Sequence, residues 1–231
     1  MILRSMAVIA FVLMMAAASA GEFNAKLTPG DKAPGWKDLP GVDGKRHALA
    51  DLAKKKLVLV VFTCNSCDVA SGYEDRIIDF AKRREDEVAV VAINVSTKPA
   101  DALEFMRERA EEKKFPFPYL FDNSQKIGRT YGANYTPAFF LLDDERKIVY
   151  MGGMDDSTYA DRVNHRYLDD AVEAVLAGRT PSPAETAPRG CRIRYRRLRR
   201  PVEKAKPATL LIDEHEIRER VRRNPPPTLD E

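Results

Sequence analysis

Apolar residues follow two different rhythms along this chain, and the change from one to the other surrounds a pair of cysteines. Residues 57–63 form a continuous run of apolar and β-branched side chains, which is typical of a strand buried on both faces of a sheet. Beyond Cys64 and Cys67 the apolar positions adopt helical spacing, at Val69, Tyr73, Ile77 and Phe80. The pattern therefore predicts a buried strand followed by a helix, with both cysteines at the junction.

The same alternation continues on both sides of this junction. The spacing predicts a small hairpin at 40–45, a strand over 88–95, a helix over 99–114, a short strand over 115–121, a helix from about 122 to 132, a hairpin with arms at 137–142 and 147–151, and a last helix over 163–177. Strands that alternate with helices and end in a hairpin and a helix indicate an α/β fold with a mixed central sheet.

The first 20 residues differ in composition from the rest of the chain. Arg4 precedes an apolar core from Met6 to Ala18, and the small residues 18–20 stand before Gly21, which is the order of a cleavable secretory signal. The apolar core is short for a membrane span, and an uncleaved anchor is the alternative. We expect a signal peptide over 1–20 and a periplasmic or secreted protein.

The cysteine pair offers redox chemistry. At the start of a helix, unpaired N–H groups and the helix dipole favour a thiolate, which is the form of cysteine that attacks disulfides. Two intervening residues let the sulfur of Cys67 reach that of Cys64, so the pattern predicts a dithiol/disulfide centre. A structural disulfide is one alternative. A zinc site is disfavoured, because only Cys191 and three scattered histidines remain as ligands. No metal or cofactor is expected.

Three groups of residues resemble a known family. A strand that ends in Cys64-Asn65-Ser66-Cys67 and a later Thr136-Pro137 that opens a strand resemble the thioredoxin fold. The additional helix and strand over 99–121 resemble the redoxin branch of that fold. Further motifs resemble an exported thioredoxin-like family grouped with alkyl hydroperoxide reductases and thiol-specific antioxidant proteins: Tyr73-Glu74-Asp75-Arg76, Gly152-Gly153-Met154-Asp155-Asp156 and Gly190-Cys191-Arg192-Ile193.

The resemblance implies roles for four residues. Cys64 is expected to be the attacking cysteine and Cys67 the resolving one. Pro137 resembles the cis-proline that lies against the dithiol, and Thr136 would offer its backbone to a substrate strand. Thioredoxins also bury an acid six residues before the first cysteine, where this chain has Val58. The sequence indicates no replacement for that acid.

Two charged or reactive features near the pair have open roles. Asp68 directly follows Cys67, and we expect its carboxylate to oppose ionisation of Cys64. Cys191, Ile193 and Tyr195 alternate with arginines, which is typical of a strand with one buried face. We therefore expect Cys191 to be a buried, inert thiol. The alternative is that it exchanges with Cys67 or Cys64, which requires Cα atoms within about 7 Å.

The end of the chain is basic. Residues 189–231 contain 13 Lys and Arg against seven Asp and Glu, whereas residues 1–188 contain 25 against 28. We expect a thioredoxin-like domain over 21–179 and a Pro/Arg-rich extension over 180–231. With export expected, a nucleic-acid partner is disfavoured, and a solvated tail is favoured over contact with an anionic membrane surface.

Together these observations predict an exported thiol–disulfide oxidoreductase. Its partners would be a protein or small-molecule thiol or disulfide and a redox partner that recharges the site. A peroxiredoxin-like antioxidant protein is one alternative, although the Thr or Ser and the Pro that a peroxidatic cysteine needs upstream are missing. The other alternative is a non-catalytic interaction module with a structural disulfide.

Overall fold

Strands and helices alternate along the chain as the sequence pattern predicts. This computed structural model describes residues 21–197 and 214–223, and the predicted signal segment lies outside them. The strands are β1 Leu39–Pro40, β2 Arg46–His47, β3 Leu57–Thr63, β4 Val88–Asn94, β5 Tyr119–Phe121, β6 Tyr135–Thr136, β7 Ala138–Leu142, β8 Ile148–Gly152 and β9 Cys191–Arg192. The helices are α1 Asp68–Arg83, α2 Leu103–Lys113, α3 Lys126–Thr130, α4 Tyr167–Leu176 and α5 Glu214–Arg223.

The central sheet is five-stranded and mixed, in the order β5-β4-β3-β7-β8. β3 pairs in parallel with β4, and β4 in parallel with β5, whereas β7 runs antiparallel to both β3 and β8. The parallel pairs are joined through α1 and α2, because a parallel connection must cross back over the sheet. The mixed sheet flanked by helices is the predicted fold class, which is confirmed.

Alternate residues of β3 enter two apolar clusters, one on each face of the sheet. The first cluster takes Leu57, Leu59 and Val61, together with side chains of α1, α2 and α4 such as Tyr73, Met106 and Val172. The second takes the intervening residues, together with aromatic side chains from outside the sheet. Its members from β3 and its aromatic neighbours are Val58, Val60, Phe62, Trp36 and Tyr131. The strand is therefore covered on both faces, as its uninterrupted apolar run predicts.

Three predicted helices begin later than the spacing suggests, and α3, which begins at Lys126 instead of about 122, is the simplest case. Residues Pro99–Asp101 form a 3-10 turn, and α2 begins only at Leu103, after Ala102 adopts an extended backbone. The last helix of the domain begins at Tyr167 instead of 163, after another 3-10 turn at Ala160–Arg162. The hairpins expected at 40–45 and 137–151 are present as β1–β2 and β7–β8.

The described residues divide into two compact units, with the boundary between Tyr195 and Arg196. In the first unit, residues 180–195 follow α4. Glu185 of this segment forms a β-bridge with Met151, and β9 of the same segment pairs with β6. Of the second unit, the structure describes Arg196, Arg197 and α5, whose last turn is basic. In the described ranges 21–197 and 214–223, no helix has the length and apolar character needed to cross a membrane.

Candidate active site

The two cysteines lie where strand β3 gives way to helix α1, as predicted. β3 ends at Thr63, and Cys67 is the N-cap of α1, where its sulfur accepts a hydrogen bond from the Ala70 N–H at 3.4 Å. Cys64 is 8% exposed and Cys67 only 1%. Of the two sulfurs, that of Cys64 is therefore the more accessible to a substrate.

The residues between the cysteines are anchored to three other parts of the fold. The Asn65 side chain accepts from the Tyr119 hydroxyl at 2.9 Å and donates to the Phe105 carbonyl at 3.0 Å. Ser66 donates both its backbone N–H and its hydroxyl to the carboxylate of Asp101, at 2.8 and 2.6 Å. These contacts hold the loop that carries Cys64 in one conformation.

The disulfide of the structure joins Cys67 to Cys191, across 124 residues and with Cα atoms 5.9 Å apart. Cys64 is a free, buried thiol. The expectation that Cys191 is buried and inert is therefore wrong, since Cys191 is exposed and disulfide-bonded. The period-two pattern does hold for Ile193, which packs against the second apolar cluster. Cys191 instead lies opposite Thr136 in the pairing of β9 with β6, beside the cysteine motif, and its sulfur is bonded to that of Cys67.

Thr136, which precedes Pro137, lies against both cysteines. The Thr136–Pro137 peptide bond is cis and both of its residues are buried. The Thr136 hydroxyl is 3.6 Å from the Cys64 sulfur, and the Thr136 carbonyl oxygen is 3.2 Å from the Cys67 sulfur. The backbone of Thr136 pairs with Cys191, so the edge expected to receive a substrate strand carries the chain's own β9.

The electrostatic surroundings of Cys64 oppose its ionisation. Burial raises the pKa of the Cys64 thiol, and the negative charge of Asp101 raises it further. Hydrogen bonds from the Thr136 and Ser66 side chains and the charge of Lys98 lower this pKa, but the net shift is upward. The net direction is opposite to that expected from the helix dipole, because Cys64 precedes the helix N-cap by three residues and lies under neighbouring side chains.

Asp101 is a site residue that sequence reasoning missed. Its side chain is fully buried, and it belongs to the 3-10 turn that follows β4. The Asn94 side chain donates to its carbonyl at 2.9 Å, which fixes the turn beside the cysteine loop. In the sequence, Lys98-Pro99-Ala100-Asp101 resembles an ordinary helix start, so no local signal distinguishes this carboxylate. We expected Asp68 to act on Cys64, but Asp68 is exposed and the buried charge beside the thiol is that of Asp101.

Replacing Asp101 by asparagine is expected to lower the pKa of Cys64, because the substitution removes a nearby negative charge and keeps an oxygen that accepts from Ser66. The thiolate fraction at pH 7 then rises, and alkylation of Cys64 by iodoacetamide becomes about two- to tenfold faster. The measurement is the alkylation rate between pH 6 and 10 with the Cys67–Cys191 disulfide intact, so that Cys64 is the reacting thiol. Asp68→Asn is the matched control and should change the rate less. Slower alkylation of Asp101→Asn, or an equal effect of both variants, would contradict this assignment.

A cleft of about 610 Å³ opens beside the cysteines. Cys64, Cys67 and Thr136 form part of its wall, and β9 contributes Cys191 and Arg192. Its cationic side chains are Lys98, Arg192 and Arg194, all of them exposed. The wall around the free thiol therefore carries positive charge at its rim, and the carboxylate of Asp101 is buried behind Ser66.

Two of the motifs that suggested the family meet behind the site. Tyr73 and Arg76 of α1 both bind Asp155, which follows β8: the tyrosine hydroxyl donates to its carboxylate at 3.0 Å and the guanidinium at 2.5 Å. Arg76 also stacks on the Tyr73 ring at 3.6 Å. Burial and the charge of Asp155 raise the pKa of Tyr73 to about 12, so the hydroxyl remains a donor at neutral pH. This network holds the helix that presents Cys67 against the end of β8.

The sequence model of the Redoxin family matches residues 28–165, which include the cysteine motif, Asp101, Thr136 and Pro137. The chain belongs to the redoxin family. Among its relatives, the thiol-disulfide oxidoreductase ResA of Bacillus thuringiensis (strain Al Hakam) is 27% identical over 126 residues, which are 54% of this chain and 69% of that protein.

Two crystal structures share the architecture over most of the chain. A hypothetical protein from Sinorhizobium meliloti 1021 is 33% identical with a TM-score of 0.69, covering 74% of this chain and 96% of its own. An uncharacterized conserved protein from Geobacillus kaustophilus is 31% identical with a TM-score of 0.70, covering 74% and 94%. The redoxin match and the ResA relatives confirm the predicted family and the predicted enzyme class, a thiol–disulfide oxidoreductase. The individual roles of Cys64, Cys67, Thr136 and Pro137 stay predictions.

Proposed function

We propose that this protein is an exported thiol–disulfide oxidoreductase in which Cys64 attacks the disulfide of a substrate. The observation that carries this proposal is the state of the cysteine motif. Cys64 is a free thiol in the wall of an open cleft, and Cys67, three residues along, already holds a disulfide to a distant cysteine. A free thiol beside a disulfide is the arrangement from which exchange proceeds, by attack of a thiolate on a disulfide sulfur.

In the first step the Cys64 thiolate attacks one sulfur of the substrate disulfide and forms a mixed disulfide, while the other substrate sulfur leaves as a thiolate. The Thr136 hydroxyl, 3.6 Å from the Cys64 sulfur, donates to the thiolate before attack. Because burial raises the pKa of Cys64, the reaction accelerates as the pH rises through neutrality and above.

In the second step Cys67 attacks the Cys64 sulfur, which releases the second substrate sulfur as a thiolate and leaves a Cys64–Cys67 disulfide. In the reduced protein the thiol of Cys67 has an acceptor in the Thr136 carbonyl, 3.2 Å away. The backbone of Thr136 and the ring of Pro137 are the proposed binding surface for a substrate strand. Such a strand binds only after β9 has left Thr136.

Export rests on the pattern of residues 1–20, with its single arginine, apolar core and small residues before Gly21. An oxidising compartment outside the cytoplasm also suits a protein that holds a disulfide. Expression with the full N-terminus, followed by mass spectrometry of the exported protein, should give a mature chain that begins at Gly21. A mature chain that retains Met1 would contradict the signal-peptide assignment.

Redox titration of the full protein in glutathione or dithiothreitol buffers tests the function itself. A catalytic centre is expected to have a reduction potential of roughly −270 to −120 mV, whereas a structural disulfide lies below about −300 mV. Reduction of insulin disulfides by the reduced protein should accompany a potential in the catalytic range. A potential below that range with no insulin reduction would favour the alternative, an interaction module with a permanent disulfide.

A further inference from the structure

Cys191 belongs to a segment, residues 190–195, that packs closely against the active site. Residues of β9 pair with β6 in register, Cys191 opposite Thr136 and Arg192 opposite Tyr135, and the Ile193 N–H donates to the Asn134 carbonyl at 2.8 Å. These bonds place the Cys191 backbone directly beside the residue that touches both Cys64 and Cys67.

Side chains farther along hold the same segment in place. The Tyr195 hydroxyl donates to the Ala133 carbonyl at 2.5 Å, and the guanidinium of Arg129 lies 4.5 Å above its ring. The Gln125 side chain donates to the Arg194 carbonyl at 3.0 Å. Binding of β9 therefore does not depend on the disulfide alone, and the reduced segment has its own contacts with the domain.

Gly190 is required for this close approach. Its backbone has a φ of +154°, a region that residues with a Cβ rarely adopt. A Cβ at this position would also collide with the carbonyl group of Thr136. The Gly190-Cys191 pair therefore has a structural meaning: the glycine lets the backbone reach Thr136, and the next residue brings a sulfur to Cys67.

We propose that Cys191 is a third redox-active cysteine, which takes the disulfide over from Cys64 and Cys67. This inference rests on the proposed function. The Cys191 thiolate attacks the Cys67 sulfur, the Cys67–Cys191 bond forms, the Cys64–Cys67 bond breaks, and Cys64 leaves as a thiolate that then takes a proton from water. One disulfide is exchanged for another, so no further oxidant is needed. The structure shows the product of this step, with Cys64 free again.

The transfer moves the oxidised bond from a buried position to an accessible one. The Cys67 sulfur is enclosed, since the residue is 1% exposed, whereas Cys191 is exposed on β9. The reductant that recharges the enzyme is accordingly a dithiol, and its thiolate attacks the Cys191 sulfur and releases Cys67. A second dithiol thiolate then resolves the mixed disulfide and leaves Cys191 reduced. The covalent tie is then gone, and a substrate strand has only the non-covalent contacts of β9 to displace from Thr136.

The test begins with the fully reduced full-length protein and one equivalent of Ellman's reagent as substrate disulfide. Samples are quenched with acid over time, alkylated and mapped by mass spectrometry for each disulfide. In the unsubstituted protein a Cys64–Cys67 disulfide should form first and convert to Cys67–Cys191, which reaches a roughly tenfold excess. If Cys64–Cys67 remains the product and Cys191 stays alkylated, the proposal fails.

Gly190→Ala is the sharpest variant, because it keeps all three cysteines and removes only the approach of β9. In Gly190→Ala and in Cys191→Ser the disulfide should stay at Cys64–Cys67. Gly178→Ala is the matched control: this glycine also has a positive φ, +71°, but a Cβ there meets nothing within 4 Å. It should show the same Cys67–Cys191 excess as the unsubstituted protein, and an equal Cys67–Cys191 yield in Gly190→Ala would overturn the assignment of Gly190.

The same experiment separates failure of the relay from failure of the proposed function. The exposed Cys191 thiol also reacts with Ellman's reagent, so release of the thionitrobenzoate chromophore reports attack by the first cysteine in the Cys191→Ser background. If Cys64→Ser in that background still releases it at the full rate, then Cys64 is not the attacking cysteine and the proposed function is wrong. If release there depends on Cys64 but no Cys67–Cys191 disulfide follows in the unsubstituted protein, the proposed function stands and the relay is wrong.

Discussion

Replacing Cys64 by serine is expected to reduce the rate of insulin disulfide reduction by at least about 10³-fold, because the attacking atom is lost and a serine hydroxyl is not ionised at neutral pH. Cys64 is the free thiol of the motif, and its sulfur is the one beside the Thr136 hydroxyl. The assay uses insulin with dithiothreitol as reductant, at a fixed pH, and reads the turbidity of the released chains.

Cys67→Ser is the informative comparison for this result. It retains the attacking thiol but lacks the cysteine that resolves the mixed disulfide, so a covalent complex between Cys64 and the substrate should accumulate on non-reducing gels. Cys64→Ser should give no such complex. If Cys67→Ser turns over at the full rate, or if Cys64→Ser still traps substrate, the roles of the two cysteines are assigned wrongly.

Replacing Asp155 by alanine is expected to lower the free energy of unfolding by about 3 kcal/mol, the lower part of the range for a broken buried ion pair. Asp155 is 4% exposed and Arg76 is 17% exposed at the side chain. Removal of the carboxylate leaves the mostly enclosed guanidinium without its anionic partner, and it also takes an acceptor from the Tyr73 hydroxyl. The lower value is chosen because Arg76 keeps two bonds to backbone carbonyls, at Ser157 and Thr158.

Asp75→Ala is the control for this prediction, since Asp75 lies in the same four-residue motif as Arg76 and also forms an ion pair. Its partner is Lys113 at 2.9 Å, but the Asp75 side chain is 82% exposed. Water screens such a pair, so the expected loss is below about 1 kcal/mol. Urea unfolding of both variants, with the slope of the transition compared, measures the difference. Losses of the same size would show that burial of the Arg76–Asp155 pair contributes nothing.

The predictions that succeeded from sequence concern elements whose side-chain pattern is local. The unbroken apolar run of β3 and the helical spacing after Cys67 appear in the structure almost at the expected residues. Both patterns arise from which neighbours in sequence share a face, so a short window contains the whole signal. The helix expected to begin at Pro99 was misplaced for a tertiary reason. Asp101 turns inward to bind Ser66, 35 residues away, and α2 begins only at Leu103.

The sequence by itself therefore determined the α/β class, the position of Cys64 and Cys67 at a strand–helix junction and the family that these motifs indicate. Only the tertiary structure decided which sulfur Cys67 bonds, which carboxylate acts on Cys64 and what covers the backbone of Thr136. In each case the deciding partner, Asp101 or Cys191, is brought in by sheet pairing or loop closure over 35 to 124 residues. Hydrophobic periodicity reports the face on which a side chain lies, but it contains no information about which distant segment meets that face.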